Sequence, residues 1–312
     1  MIEPTDALRQ RIEPAGGRLV LFVDAAFILA LRREMAQHPQ LRADYDAVCR
    51  HVAALAKAGH EIQLHIHPHW EDCHWRDGRW QMAMHRYKLH DFGDADILRL
   101  VTDCVTVLRE IAGPEHAYAY RAGGWVIQPF DRIKRALAAN GVTLDSTVFA
   151  GGVAEDTVHL YDFTSAPRYR HWRFEDDPCV PVEGGSFLEV PIASIDVWPD
   201  FYWKFVWQKK FGGSRHQAFG KGSAVPLSRA DLIKKLATRT TSVVSMDGYK
   251  ATLLERAHRM YAASGAPSFV IIGHPKAFTP FSLDALTDFL TPQRMANVST
   301  FAPFAVPVRR AA

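Results

Sequence analysis

Residues 59–69 read GHEIQLHIHPH. Gly59 ends the helical text before it, and Glu61 to His67 alternate with period two. Ile62, Leu64 and Ile66 point to one side, Gln63, His65 and His67 to the other. Pro68 closes the run, because proline has no N–H to give to a strand ladder. The stretch therefore reads as a strand that delivers imidazoles at its C-terminal end. Upstream, RLVLFVD (residues 18–24) is a short apolar run closing on Asp24, the pattern of a buried strand. Helical text separates the two, at Phe27 to Met35 and at Arg42 to Lys57. The second helix carries Tyr45, Val48, Cys49, Val52 and Leu55 on one face.

Downstream the alternation continues. Residues 70–92 form a long loop rich in Trp, His, Asp and Gly, and Trp70, Trp75, Trp80 and Tyr87 argue against disorder there. A helix spans Ala95 to Ile111, a strand Ala117 to Arg121, a helix Pro129 to Asn140 and a strand Val142 to Thr147. Strand–helix alternation over 18–147 predicts parallel strands with right-handed crossovers. In residues 150–225 only Phe187 to Val190 and Ser194 to Val197 read as strands. Phe201 to Gly222 is aromatic, basic and glycine-containing, and no periodicity assigns it. Helices at Leu227 to Ala237, Tyr249 to Ala263 and Leu283 to Phe289, with a strand at Ser268 to Ile272, complete the pattern, and Phe301 to Ala312 reads as a surface segment. The expected fold class is α/β: one domain over residues 1–312, a distorted (β/α) barrel with loop insertions and a core over residues 18–290.

Composition bounds the function. The chain has 312 residues, 48% hydrophobic and 23% charged, with a net charge of +3. That suits a globular protein that needs no disulfide staples, and the charge is too weak to imply nucleic acid. The four cysteines show no C-x-x-C spacing and read as reduced thiols. The polar, acidic start is unlike a signal peptide, and Leu19 to Ala30 is too short and too polar to span a membrane. The expected location is cytoplasmic. One count is unusual: eight of the 15 histidines fall between His51 and His90.

In parallel α/β folds ligands bind at the C-terminal ends of the strands. Asp24 ends the first strand; His65, His67 and His69 leave the second; Arg121 and then Ala122-Gly123-Gly124-Trp125 leave the third; Asp145 and Ser146 the fourth; His274, Pro275 and Lys276 the last. Imidazole is the commonest metal ligand at neutral pH, and two imidazoles with a carboxylate recur around catalytic divalent ions. Each residue also has a plainer reading. Asp24 can cap the following helix. Arg121 can pair structurally with Asp24 or Asp145, which would also hold a base low in pKa. Gly123-Gly124 can be a tight turn or an oxyanion cradle. His274 can be a buried, satisfied histidine or a general acid. Trp70, Trp75, Trp80 and Trp125 can stack on sugar faces or be core.

GHEIQLHIHPH, YRAGGW (residues 120–125), DSTVF (residues 145–149) and IIGHPK (residues 271–276) resemble, in order and spacing over about residues 18–280, the motifs of the polysaccharide deacetylases of NodB homology, carbohydrate esterase family 4. The likeness is greater to intracellular members associated with O-antigen biosynthesis than to secreted ones. The resemblance implies a distorted (β/α) barrel and metal-dependent removal of an N-acetyl group from an amino sugar, nucleotide- or lipid-linked. It places His65 and His69 at the metal-binding histidines, with zinc as the expected divalent ion. Arg121 matches the arginine that orients the base, the Gly124 region the oxyanion backbone, and His274 the general acid. Asp145 lies near the motif that supports the arginine. The family's first motif usually carries two acids, a base and a metal ligand; here Val23-Asp24-Ala25-Ala26 offers only Asp24. Asp24 then serves as base while His67 or water completes the metal shell, or it serves as ligand itself. Trp70, Trp125 and Lys276 are expected near the substrate. Two rival functions remain: an amidohydrolase acting on a non-sugar amide or cyclic imide, and a catalytically inactive sugar-binding protein.

Overall fold

A computed structural model of the protein describes residues 1–156, 158–220 and 229–305. Its main sheet contains β1 (Val20–Asp24), β2 (Glu61–Ile66), β3 (Ala119–Ala122), β4 (Leu144–Asp145), β5 (Trp172–Phe174) and β6 (Phe187–Glu189), in the order β1-β2-β3-β4-β6-β5. All neighbours are parallel except β6 and β5. The parallel part is the βα alternation of the sequence made real: α2 (Ala25–Glu34) and α3 (Arg42–Lys57) follow β1, α4 (Asp94–Ala112) follows β2, and α5 (Asp131–Ala139) follows β3. Residues 192, 245, 270 and 272 extend the row through single parallel bridges, Ile192 with Val270 and Ser245 with Ile272. Among the described residues no ladder joins that segment to β1. The expected barrel is thus an open, barrel-like row, and the predicted strand Ser268 to Ile272 is reduced to bridges.

Both faces of β2 are covered, as in parallel sheets generally. Ile62, Leu64 and Ile66 pack under α4, whose Ile97, Val101, Cys104, Val105 and Leu108 form the helix's buried stripe. The polar positions of β2 do not face solvent. Gln63 is fully buried and accepts the N–H groups of Tyr118 and Ala119. Glu61 accepts those of Phe301 and Ala302. Phe301 is therefore buried, edge-on to Phe22 at 6.1 Å, rather than part of a surface segment; residues 306–312 of that segment lie outside the described residues.

Several elements escaped the sequence reading, among them the strands Trp172–Phe174 and Thr240–Val243. α1 (Ile2–Ile12) forms at the polar start and buries Leu8 and Ile12 in a second core cluster that includes Leu283 and Leu286 of α9 (Pro280–Phe289). The loop 70–92 contains a small hairpin, His74–Arg76 with Arg79–Gln81. The unassigned stretch holds α6 (Pro199–Phe211), which lacked a signal because it is apolar on both sides. α6 packs on α7 (Arg229–Ala237). β7 (Ser194–Val197) and β8 (Thr240–Val243) pair antiparallel beside it, and α8 (Leu254–Ala263) follows a short 3-10 turn at Gly248–Leu253. Leu227 and Ser228, expected to open α7, lie outside the described residues.

Candidate functional site

Sheet register sets the first part of the site. Asp24 is opposite His65, and His65 is opposite Arg121. Parallel neighbours in register share a face, so the three stand in one row across β1, β2 and β3. Asp24 occupies the position that would cap α2, but its side chain makes no capping hydrogen bond. Instead Oδ2 accepts from His67 Nδ1 and from the indole N–H of Trp70, each at 3.0 Å, and Oδ1 accepts the His67 backbone N–H at 3.3 Å. Burial alone would raise this carboxyl; the His67 charge and hydrogen bond outweigh it and hold the carboxyl below the usual aspartate range.

His65 donates Nδ1–H to the carbonyl of Arg121 at 2.6 Å, which leaves Nε2 as its lone pair. Burial, helped by the neighbouring His67, pushes its pKa down to about 3. His69 leaves the strand on the turn Pro68–Glu71. Its ring is stacked between Trp70 and Tyr87, at 5.3 and 5.4 Å, and burial pushes its pKa down to about 4. Its Nδ1 is buried with no hydrogen-bond partner, which is costly unless a ligand or water satisfies it. The His67 ring is 4.5 Å from His65 and 5.7 Å from His69, edge-on to both.

Two neutral imidazoles, one with its second nitrogen tied to a carbonyl and one with an orphaned nitrogen, suit a divalent ion. A third protein donor is missing: among the described residues no group of three His, Cys, Asp or Glu side chains is arranged to hold an ion. Both oxygens of Asp24 are engaged, and Ala25 follows it. His65 and His69 thus offer two imidazole lone pairs, and any further donors to an ion would have to come from water or substrate.

Gly123 and Gly124 border this group. A Cβ on Gly123 would lie 2.5 Å from the Ile66 carbonyl oxygen and 2.9 Å from the His67 ring. Gly124 has φ of +62°, and a Cβ there would meet the Tyr87 ring at 2.9 Å. Glycine is required by this close approach of backbone to imidazole. Tyr87, from the aromatic loop, is a wall residue that motif reasoning did not single out; burial, then the charge of Asp24, pushes its phenol up to about 12.

The remaining expected residues stand elsewhere. Arg121 donates Nε–H to the Ser146 carbonyl at 2.7 Å and an NH2 proton to Ser146 Oγ at 2.9 Å, and lies 4.1 Å over the Phe22 ring. Burial pushes its pKa down to about 10 against the pull of Asp145 and Glu189. Asp24's partners are His67 and Trp70, not Arg121. Asp145 is in register with Tyr120, one residue out of phase with Arg121, and accepts Thr147 N–H and Oγ–H at 2.9 and 2.8 Å. Beside it is Glu189, unnoticed in the sequence. Both acids are buried, and burial raises both carboxyls. Trp70 is half-buried against Phe27, His69 and Trp80, and its indole N–H holds Asp24. Trp125 packs edge-on against Phe149 and Tyr161.

His274 meets a partner that the sequence reading missed, Asp247 of Ser-Met-Asp-Gly-Tyr-Lys (residues 245–250). The carboxylate accepts the His274 backbone N–H on Oδ1 and Nδ1–H on Oδ2, each at 2.7 Å. This turns Nε2 of a half-exposed imidazole outward. Burial would raise Asp247, but His274 holds it below the usual range. Lys250, its ammonium lowered by burial, is attracted by the same carboxylate. Lys276 sits two residues on, its carbonyl accepting the Gly220 N–H. Among the described residues no hydrogen bond or ion pair links His274 and Asp247 to the Asp24 group.

No family model matches this chain, and no curated protein matches it. Among solved structures it is similar to the crystal structure described as "putative polysaccharide deacetylase from Mycobacterium smegmatis". The two are 16% identical, and the match covers 97% of this chain and 75% of that one with a TM-score of 0.50. At that identity the likeness is one of architecture: the chain has an α/β fold of the kind seen in that protein.

Proposed function

We propose that the protein is a metal-dependent amide hydrolase that removes the acetyl group from an N-acetylated amino sugar, in the cytoplasm and in the assembly of a surface polysaccharide such as O-antigen. The observation that carries this reading is the neutral pair His65 and His69 beside the carboxylate of Asp24, at the C-terminal end of a sheet whose fold resembles the solved deacetylase-described structure. His65 Nε2 and His69 would hold a divalent ion, zinc first. Such an ion supplies, when bound, polarisation of the acetyl carbonyl and a more acidic water. Asp24, fixed by Trp70 and His67, takes a proton from the attacking water; Oδ1 accepts only one N–H and keeps a lone pair for it. Tyr87 and the Gly123–Gly124 backbone border the space beside the imidazoles, where the oxyanion develops. His274, oriented by Asp247, gives a proton to the leaving amine, so water and amide become acetate and free amine.

The test is a panel of N-acetylated sugars, free and nucleotide-linked, with acetate and amine both quantified. Equal release of the two, lost on chelation and restored by zinc, is the expected result. Turnover of cyclic imides without acetate release would transfer the site to the non-sugar amidohydrolases. Sugar binding without turnover under any divalent ion would make it a binding protein.

A further inference from the structure

We infer that the outer face of α6 docks the protein on an anionic lipid bilayer. The helix is apolar on both sides: one side packs inward, a flank meets α7, where Trp203 donates its indole N–H to the Leu236 carbonyl at 3.2 Å, and the remainder is exposed. Phe201, Tyr202 and Phe205 pack inward, Phe201 stacking on Tyr249 at 5.6 Å. The opposite side exposes Trp203, Val206, Trp207 and Phe211, spaced three or four apart and each more than 40% exposed. Lys209 and Lys210 flank them and make no ion pair among the described residues, Lys210 lying over the Phe211 ring at 5.2 Å. Residues 198–220 carry Lys204, Lys209, Lys210 and Arg215 against Asp200, a net +3 within the segment; Lys204 pairs with Asp200 and Arg215 with Asp284 of α9, so Lys209 and Lys210 carry the charge left over.

This chemistry selects among occupants. Interfacial helices set Trp and Phe at the headgroup boundary with lysines reaching to the phosphates. Protein–protein interfaces are depleted in lysine. A symmetric pair of copies would bring two +3 segments together. An anionic lipid surface complements the rings and the charge at once. Through Tyr249, two residues from Asp247, α6 is anchored to the segment that orients His274. A docked α6 would therefore hold that corner close to a bilayer, whatever the chemistry of the site.

The test is co-sedimentation of the full chain with vesicles of phosphatidylcholine and phosphatidylglycerol (3:1), and of phosphatidylcholine alone. Binding to the anionic vesicles that weakens in high salt is expected. The triple variant Trp203→Ser/Trp207→Ser/Phe211→Ser should lose at least tenfold in affinity. Lys209→Glu/Lys210→Glu, which alters only exposed lysines, should lose about fivefold or more per residue on anionic vesicles alone. A full chain that stays in the supernatant, or variants that sediment as well as the parent, would overturn the proposal. So would a dimer in analytical ultracentrifugation that the aromatic variant converts to monomer, which would assign the face to a second copy. Acetate release is not part of the readout, so this outcome is separate from that of the proposed reaction.

Discussion

The Asp24 group and the Asp247–His274 pair each join an aspartate to a histidine Nδ1, at 3.0 and 2.7 Å. They differ in setting. Around Asp24 the imidazoles of His65 and His69 are buried, crowded and neutral, and the carboxylate itself takes the indole of Trp70 and the ring and backbone N–H of His67. At the other corner a single half-exposed histidine is held by one carboxylate, its backbone N–H on one oxygen and its Nδ1–H on the other, with the second ring nitrogen turned out. Buried neutral imidazoles offer lone pairs and suit ligation. An imidazole backed by a carboxylate and open to solvent suits proton delivery. Under the proposed reaction, the same two residue types would divide two tasks according to burial and to the partner of each imidazole.

Four experiments would break or sharpen that division. The largest effect is expected from His65→Ala/His69→Ala, which removes the ligating corner. Bound zinc should fall from stoichiometric to background by elemental analysis, and turnover by at least about 10³-fold. Next, His274→Ala should lower kcat by roughly 10²- to 10⁴-fold with zinc content unchanged. Unaltered turnover there would end the proton-delivery role. Asp247→Asn should lower kcat in the same direction. Third, Trp70→Phe keeps the ring packing and removes only the N–H on Asp24. A drop of about tenfold in kcat is expected, the scale of one hydrogen bond to a charged group, with little change in Tm.

The smallest effect concerns Asp145 and Glu189. Raised carboxyl pKa values mean that the folded state holds protons the unfolded chain has released. Stability is therefore greatest below the unfolded-state carboxylate pKa and declines as pH rises through the window up to the folded pKa. Glu189→Gln removes one titrating group, and Tm measured from pH 5 to 9 should fall less steeply than in the parent.

Much of this was legible in one dimension. Period two at Glu61 to His67, helical spacing in α3 and α4, and charges at the ends of apolar runs are local signals. They identified the parallel strands, the helices between them, and His65, His67, His69, Asp24 and His274 as the residues to watch. The same locality explains the failures. The polar positions of β2 read as a wet face, but Glu61 and Gln63 are buried because their partners, Phe301, Ala302, Tyr118 and Ala119, come from other parts of the chain. α6 carried no period because both its sides are apolar for different reasons.

What the sequence determined by itself is which groups leave which strand, since alternation and strand ends depend only on neighbours in the chain. Tertiary structure alone decided their partners. Asp24 takes Trp70 and His67 instead of Arg121, Arg121 goes to Ser146, and His274 finds Asp247 27 residues upstream. It also decided that among the described residues no ladder joins β1 to residues 270–272. Hydrogen-bond partners and burial depend on distances across the fold, and no spacing along the chain encodes them.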